Sequence, residues 1–474
     1  MFYDKLNIFN KKLLYNDGHI LMNESTKTEE LIIDESQLLS HFHMGVKPRS
    51  DFKIGIELEK LGVNPNNYTA APYSGPNGIL EFLKRYKKDK NWDYITENNK
   101  VLGLISGCDT VTLEPGSQTE LSSCPRNNIH DIADQIKGYN SETAELAEEL
   151  GIYWLGYGIQ PLSTHENIEL IPKERYNIMT EYLPAKGNMA LVMMRETAGI
   201  QVSLDYGSEE DAAYKLKVLN GLSPIVTSMF ANSPIRGGHD TGYKSYRSIG
   251  WLRTDEARCG LISKKIFESD FSFKDYVDVL LDLPMMFLCK DHKWVNMQGM
   301  TFRQYMQHGY ENYKATMEDW NLHKSSFFPN IRLNHYLEIR NCDCQRADLI
   351  PAVPALWKGL IYDNDAMSAA WDLIKDLTWE DRHELRSLVP KYALEAEIKG
   401  LKVIDIAKEL VNIADYSLKQ MAQLNTEEQD ESVYLTELKA LLSKKHTPAD
   451  EILSHWYSDW NKDFKQLIEY LRLT

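Results

Sequence analysis

The 474-residue sequence has few cysteines, no long hydrophobic run and no excess of positive charge. A membrane-spanning helix needs about 18 consecutive apolar residues, and no window approaches that length. The 53 Lys and Arg residues are outnumbered by 69 Asp and Glu residues, which gives a formal net charge of −16. Binding to a membrane, or broad binding to nucleic acid, is therefore not expected.

Six cysteines in a chain of this length are typical of a reducing compartment, so we expect a cytoplasmic protein with free thiols. The N-terminal sequence MFYDKLNIFNKKLL lacks the apolar core and cleavage site of a secretion signal. Cys342 and Cys344 form a C-x-C pair, but no second Cys or His pair lies near it. A structural zinc site needs four such ligands, so this pair does not predict one.

The motifs of several common enzyme classes are also absent. There is no G-x-x-x-x-G-K-[ST] loop and no G-x-G-x-x-G between a strand and a helix, which disfavours P-loop enzymes and Rossmann dehydrogenases. Neither a G-x-S-x-G elbow nor an H-E-x-x-H motif occurs. Any nucleotide chemistry must therefore depend on other side chains.

The sequence does contain an ordinary globular composition, with 43% hydrophobic and 26% charged residues. Short alternating segments come first, and the C-terminal part shows apolar residues at helical spacing. This order predicts an α+β protein rather than a parallel βαβ array. We expect an N-terminal arm over residues 1–50, a core over residues 51–365, and a helical region over residues 366–474 that packs on the core.

Glutamates recur on one face of the predicted strands. In KIGIELEKLG, Glu57 and Glu59 point away from the apolar face. In the hairpin TVTLEPGSQTELS, Gln118 and Glu120 share a face, and Glu114 lies at the Pro-Gly turn.

Two further segments continue the pattern. In NHYLEIRN, Glu338 and Arg340 share a face, and GIQVSLDY places Gln201, Ser203 and Asp205 together.

This pattern has two interpretations. A half-buried antiparallel strand always has a polar face, which is usually solvated. Glutamate is nevertheless a poor strand residue, and a sheet that collects five carboxylates needs cations to offset their repulsion. Oxygen ligands without His or Cys favour Mg²⁺, which commonly bridges substrate phosphates. Positive partners for phosphates or carboxylates are also present, although each alone is more often solvated; they are Arg195, Lys215, Arg247, Arg253, Arg258, Arg332 and Arg340.

Several motifs together resemble the plant-type glutamate–cysteine ligase family, in family order over residues 52 to 363. They include GIELEKLG, TLEPGSQTELSSCP, IQVSLDYGSEEDAAYKLK, YRSIGWLRTDEARCG and FFPNIRLNHYLEIRNCD. The resemblance implies a glutamine-synthetase-like fold, in which a curved antiparallel sheet forms an active-site funnel surrounded by helices. It also implies ATP-dependent activation of the γ-carboxylate of glutamate as an acyl phosphate, which the amine of cysteine then attacks to give γ-glutamylcysteine.

The resemblance also implies roles for individual residues. Five glutamates match metal positions that would hold Mg²⁺ against ATP. Arg340, Arg247 and Arg258 match catalytic or phosphate-region arginines. The metal positions are Glu57, Glu59, Glu114, Glu120 and Glu338, and the expected substrate-binding residues are Gln118, Arg195, Thr197, Gln201, Trp251 and Met286.

The chain departs from the plant pattern near the expected acceptor pocket. Glu196 stands where the plant enzymes have an arginine, with Arg195 one position earlier, so either the strand register differs or the pocket charge is reversed. Met286 replaces a tyrosine. The plant disulfide positions appear as Ala133 and Met297, so plant-type redox switching is not expected.

Three functional hypotheses follow. The first is a glutamate–cysteine ligase that acts on small molecules as a monomer or homodimer. The second is a relative that uses a different amine acceptor. The third is an inactive binding protein on the same scaffold, which the retention of all five carboxylates disfavours, because buried unpaired charge is costly without a metal.

Overall fold

A computed structural model of the chain describes residues 14–16, 19–21, 30–89, 91–291, 293–297 and 299–474. Its strands, numbered β1 to β19 in chain order, are Leu14–Asn16, His19–Leu21, Ile54–Val63, Asp93–Glu97, Lys100–Ser106, Asp109–Leu113, Thr119–Ser122, Tyr153–Leu155, Gly199–Leu204, Ile235–Arg236, His239–Asp240, Cys259–Gly260, Phe287–Lys290, Lys293–Asn296, Phe328–Pro329, Ile331–Leu333, Leu337–Asp343, Glu397–Ile398 and Leu401–Lys402.

The described helices alternate with these strands and then dominate the C-terminal part. Numbered α1 to α17, they are Ser36–His43, Ile79–Asp89, Ile129–Glu149, Glu174–Tyr182, Ala190–Glu196, Glu209–Met229, Tyr246–Leu252, Phe273–Asp282, Phe302–His308, Met317–Ser325, Ala352–Ile361, Asn364–Asp372, Trp379–Tyr392, Val403–Met421, Thr436–Lys444, Pro448–Tyr457 and Phe464–Leu471.

One large sheet organises the molecule. Its order is β1-β2-β4-β5-β6-β7-β3-β9-β17-β16, with β8 also paired to β3. Its pairs are antiparallel except β2 with β4. Register shifts interrupt the β4–β5 and β9–β17 ladders, and such irregularities bend a strand and increase its twist.

The central strand β3 explains why the sheet has two different faces. All ten of its residues are buried. Ile56 and Leu58 join the hydrophobic core, whereas Glu57 and Glu59 face the opposite side, as strand alternation requires. Helices α3, α6 and α11 contact strands of this sheet. The predicted α+β class with an antiparallel sheet is confirmed.

The C-terminal helices share one hydrophobic core with the sheet, since buried side chains from Leu38 to Leu473 form a single cluster. The expected boundary at residue 365 lies at the start of α12 (Asn364–Asp372), and α11 packs against both α12 and α14. The division into core and C-terminal region stays a prediction.

The predicted N-terminal arm is only partly covered by the structure. Residues 30–50 include α1, and β1 and β2 extend the edge of the large sheet. Residues 1–13, 17–18 and 22–29 lie outside the described part of the chain. Within the described part, no helix is both long enough and apolar enough to cross a membrane.

Candidate active site

A cavity opens above the polar face of the large sheet. It contains about 1480 Å³ of space between protein atoms, partly open to solvent. Its lining combines five glutamates with five basic residues. The glutamates are Glu57, Glu59, Glu114, Glu120 and Glu338, and the basic residues are Lys173, Arg175, Lys324, Arg332 and Arg340.

Strand register brings three of the glutamates together at the centre of the sheet. Glu59 on β3 lies directly opposite Glu120 on β7, and Glu57 lies opposite Gln201 on β9. The Ser122 hydroxyl donates to Glu120 over 3.1 Å and to Glu57 over 3.5 Å. Like charges directly opposite each other destabilise a sheet unless something offsets them.

The β6–β7 hairpin places Glu114 and Gln118 at the cavity edge. Gln118 accepts a hydrogen bond from the backbone of Gly116 at 2.8 Å and donates to the carbonyl of Thr197 at 2.8 Å. A Cβ on Gly116 would collide with the backbone of Arg195, so only glycine permits this close approach. Gln118 thus fixes the turn against the end of α5.

A group of charged side chains forms the other end of the cavity. Arg332 on β16 faces Glu338 on β17 and donates two parallel hydrogen bonds to its carboxylate, at 2.8 and 2.9 Å. Arg340 also bonds Glu338 and reaches Gln201. Burial opposes ionisation of Glu338, but the two guanidinium groups outweigh it and lower the pKa of this carboxyl.

Glu59 has the opposite electrostatic environment. It accepts a hydrogen bond from the Gly199 backbone and one from Gln201 at 3.2 Å. Burial raises the pKa of the Glu59 carboxyl, and the neighbouring Glu114 and Glu120 raise it further, although Arg247 acts in the other direction. Burial and the neighbouring carboxylates therefore disfavour the ionised form of Glu59.

The donor chemistry of this cluster fits a hard divalent cation. The described cavity lining contains carboxylates but neither His nor Cys, which is the ligand set that Mg²⁺ prefers. Among the residues that the structure describes, no three His, Cys, Asp or Glu side chains stand as a group that could hold a metal ion. Rotation of the glutamate side chains would be needed to gather them around one cation.

The cavity also contains several of the residues expected to bind substrate. Gln118, Thr197, Gln201 and Trp251 line it, together with the expected phosphoryl-stabilising Arg340. The sequence reasoning missed Lys173, Arg175 and Lys324 as members of this site. Arg332 was recognised only as a candidate cation, although its pairing with Glu338 could have been inferred from the hairpin IRLNHYLEI.

The structure does not place Arg195 in the cavity. Residues 190–196 form the short helix α5 rather than a strand. Arg195 donates to the backbone carbonyl of His165 at 3.1 Å. Glu196 is fully buried in an ion pair with Arg236 and accepts a hydrogen bond from the His165 backbone at 2.7 Å. Neither a shifted strand register nor a reversed pocket charge therefore applies, because residues 190–196 form a helix and Glu196 points away from the cavity.

Three other expected site residues occupy different positions. Met286 is 1% exposed and lies in the core, while the next residue, Phe287, lines the cavity. Arg258 lies outside the cavity lining, and its guanidinium is used by Asp255, Tyr182 and other protein groups. Its expected catalytic role is thus not supported by the geometry.

Arg247 lines a smaller neighbouring cavity rather than the active-site cavity. It lines that second cavity together with Trp251 and Arg340, which border both.

The expectation that all six cysteines are free thiols is wrong. Cys108 and Cys124 form a disulfide, whereas Cys259, Cys342 and Cys344 are free and buried. The disulfide joins the turn before β6 to the residue that follows β7 by two positions. It therefore closes the end of the hairpin opposite Glu114.

A carboxylate-lined cavity with flanking arginines can hold a divalent cation together with the phosphates or carboxylates of small substrates. The profile described as "Glutamate-cysteine ligase family 2(GCS2)" matches residues 53–468. The chain therefore belongs to the glutamate–cysteine ligase family 2. This membership confirms the enzyme class predicted from the sequence, an ATP-dependent glutamate–cysteine ligase.

Individual relatives agree with this assignment. The chain is 34% identical over 456 residues to glutamate–cysteine ligase B, chloroplastic, of Oryza sativa subsp. japonica, covering 94% of this chain and 90% of the relative. It is 32% identical over 463 residues to the chloroplastic glutamate–cysteine ligase of Arabidopsis thaliana, covering 96% and 87%. The cytoplasmic location expected from the sparse cysteines is wrong by this comparison, because these relatives are chloroplastic enzymes.

Two solved structures share the fold. One is a glutamate–cysteine ligase from Francisella tularensis in complex with AMP, with a TM-score of 0.54 and 15% identity over 88% of this chain and 87% of that one. The other is a bifunctional glutathione synthetase from Pasteurella multocida, with a TM-score of 0.53 and 14% identity over 94% of this chain and 54% of that one. At these identities the likeness shows the fold alone.

Proposed function

We propose that the carboxylate-lined cavity is where this ligase makes γ-glutamylcysteine, using ATP and Mg²⁺. The γ-carboxylate of glutamate attacks the terminal phosphorus of ATP, which gives γ-glutamyl phosphate and ADP. The cysteine amine then attacks the activated carbonyl carbon and phosphate leaves, while the amine loses a proton. The protein would act on these small molecules as a monomer or homodimer.

The observation that carries this proposal is the gathering of five glutamates in one cavity. Glu57, Glu59 and Glu120 would hold Mg²⁺ with help from Glu114 and Glu338, since all five line the same space. Glu59 and Glu120 lie directly opposite each other, so a cation would relieve their repulsion. Bound Mg²⁺ would neutralise charge on the ATP phosphates. The chemistry otherwise needs positioning and charge stabilisation rather than a protein nucleophile.

The arginines at the far end of the cavity have separate roles in this proposal. Arg340 would stabilise charge on the transferring phosphoryl group, because its guanidinium reaches into the cavity beside Gln201. Arg332 would position Glu338 through its paired hydrogen bonds. Arg258 has a structural role, since protein groups occupy its guanidinium.

The acceptor would lie against the apolar part of the cavity. Met179, Met193, Met194 and Phe287 line this part. A surface of thioethers and an aromatic ring fits a small, polarisable group such as the side chain of cysteine. A different small amine is the alternative acceptor, and the rate of ADP release with each amine distinguishes the two.

ADP release in the presence of glutamate, Mg²⁺ and a panel of amines tests the proposal. We expect release to require glutamate and to be fastest with cysteine, compared with β-alanine, aminobutyrate and simple alkylamines. Release that is fastest with another amine would establish the alternative acceptor. Full activity in EDTA would contradict the role of the glutamates.

A further inference from the structure

A hydrogen-bonded chain of three side chains joins the active-site cavity to helix α1, and the proposed chemistry leaves it unused. Lys324 on α10 lines the cavity and is only 5% exposed. Its ammonium bonds the Nε2 of His41 on α1, and the Nδ1 of His41 lies 3.2 Å from the Nε2 of His335. The chain therefore runs without a break from the cavity to the turn between β16 and β17.

The hydrogen-bonding capacity of lysine determines the roles along this chain. An ammonium group can only donate, so the Nε2 of His41 accepts and its Nδ1–H donates to His335. Burial lowers the pKa of His41, and the neighbouring Lys324 and His335 lower it further, which keeps the ring neutral. A neutral ring orients the ammonium without cancelling its positive charge.

Helix α1 is anchored to the turn between β16 and β17. The Tyr206 hydroxyl lies 2.6 Å from the carbonyl oxygen of Phe42 and 2.8 Å from that of Asn334. A Cβ on Gly45 would collide with the same hydroxyl and with the backbone of the turn, so the end of the helix needs glycine for this close approach. His41, one residue before Phe42, is therefore held at a defined place beside the cavity wall.

Lys324 lies at the end of the cavity where Arg340 is proposed to act. Arg332 donates at 3.1 Å to the carbonyl of Phe327, three residues after Lys324. Arg332 also holds Glu338, which Arg340 contacts. Lysine carries a compact charge with three donors, which suits the oxygens of a phosphate group.

We propose that Lys324 binds the terminal phosphate of ATP, and that His41 is a positioning residue that orients the ammonium toward this phosphate. The inference deepens the proposed function and rests on it. Positive charge held beside the transferring phosphate accelerates phosphoryl transfer, so Lys324 would add to the effect of Arg340. Helix α1 would thereby contribute to the active site through a residue that touches no substrate.

Binding of ATP and of ADP, each with Mg²⁺, tests the contact because the two nucleotides differ only in the terminal phosphate. Isothermal titration calorimetry of the full chain should give a Kd for ATP that is about 10- to 100-fold weaker in Lys324→Gln than in the wild type, as loss of a charged hydrogen bond predicts. The Kd for ADP should change less than about twofold, because ADP lacks the phosphate that Lys324 binds.

Variants of His41 separate positioning from folding. His41→Leu removes the acceptor and should lower the kcat for ADP release about 3- to 10-fold, while the KM values for glutamate and cysteine stay within about twofold. His41→Gln supplies an amide oxygen that can accept from Lys324, so it should restore much of the lost kcat. His43→Gln, at an exposed position of the same helix, is the matched control and should leave kcat unchanged.

The results have distinct meanings for the two proposals. Wild-type protein that binds ATP more tightly than Lys324→Gln does, but makes no γ-glutamylcysteine, would support the phosphate contact and refute the proposed function. Equal losses of ATP and ADP affinity in Lys324→Gln, or no loss of either, would overturn the phosphate contact and leave the ligase function intact. A His41→Gln variant as slow as His41→Leu would overturn the positioning role, and wild-type protein that binds no ATP would overturn both proposals.

Discussion

Glu196 and Glu59 are both buried glutamates, but their carboxylates have different neighbours. Glu196 is enclosed by Arg236 and His165. Glu59 receives hydrogen bonds from a backbone N–H and an amide side chain, and faces other carboxylates. Removing the charged partner of a buried carboxylate is strongly destabilising, so Glu196 and Arg236 form a structural pair, whereas the carboxylates around Glu59 would be stabilised by a cation.

This difference predicts that Arg236→Met is destabilising. The substitution leaves the Glu196 carboxylate buried without its charged partner, which typically costs about 3–5 kcal/mol. Urea denaturation should report a loss of this size. The KM for cysteine in the folded fraction should remain within about twofold, because the ion pair lies outside the cavity. A normal stability together with a large change in the KM for cysteine would instead indicate that Glu196 contributes to the acceptor pocket.

Met286 provides a second test of which residues lie in the core and which line the cavity. It is 1% exposed and does not line the cavity, whereas Met194 does. Met286→Tyr should overpack the core and reduce the free energy of unfolding by about 1–3 kcal/mol. Met194→Ala should instead raise the acceptor KM by about 3- to 10-fold, as expected for lost contacts with a small substrate. Initial rates distinguish the two substitutions, because Met194 is also buried and its truncation lowers stability as well. A raised acceptor KM in Met286→Tyr with an unchanged one in Met194→Ala would contradict the observed placement.

Among the elements, the β6–β7 hairpin was predictable and α5 was not. Alternating residues and the Pro-Gly turn were sufficient to predict the hairpin and its polar face. Helix α5 contains only seven residues, ALVMMRE, and the following strand made the whole run resemble extended chain. A short buried helix has too few turns to show a clear period, so tertiary packing decides its structure.

The disulfide gives a prediction for the hairpin. Cys108 and Cys124 are separated by 16 positions, and closing a loop of this length stabilises a protein by about 3 kcal/mol in the chain-entropy model. The double variant Cys108→Ser/Cys124→Ser should lose stability of that order. Dithiothreitol should lower the melting temperature of the wild type alone.

Activity at 25 °C should be unchanged by dithiothreitol, because the plant-type positions Ala133 and Met297 carry no cysteine. A several-fold change in activity on reduction, absent from the double variant, would reveal a redox switch at the Cys108–Cys124 hairpin.

For the molecule as a whole, the sequence predicted the α+β class and the gathering of carboxylates better than it predicted the other residues that line the cavities. Strand alternation determines which residues share a face, so Glu57, Glu59 and Glu120 could be grouped without a structure. Lys324 and Arg386 reach their cavities from helices, and which cavity a helical residue faces depends on how the helix docks. Local sequence carries no signal for that docking.

The acidic centre of the sheet predicts that Mg²⁺ stabilises the whole protein. A ligand that binds only the folded state adds about 2.7 kcal/mol at a concentration 100 times its Kd. The melting temperature should therefore rise with Mg²⁺. In Glu59→Gln the rise should shrink, while stability without metal stays equal or increases because repulsion is relieved. Glu409→Gln, an exposed helical position, is the matched control. An identical response to Mg²⁺ in all three proteins would contradict metal binding at Glu59.

Oxygen transfer tests the proposed chemistry most directly. Glutamate labelled with oxygen-18 in its γ-carboxylate is incubated with ATP, Mg²⁺, cysteine and the enzyme, and the released phosphate is analysed by mass spectrometry. Attack by the γ-carboxylate on ATP, followed by displacement of phosphate, requires each phosphate to carry one labelled oxygen. Glu57→Gln should form labelled phosphate orders of magnitude more slowly. Formation of γ-glutamylcysteine with unlabelled phosphate would contradict the γ-glutamyl phosphate route.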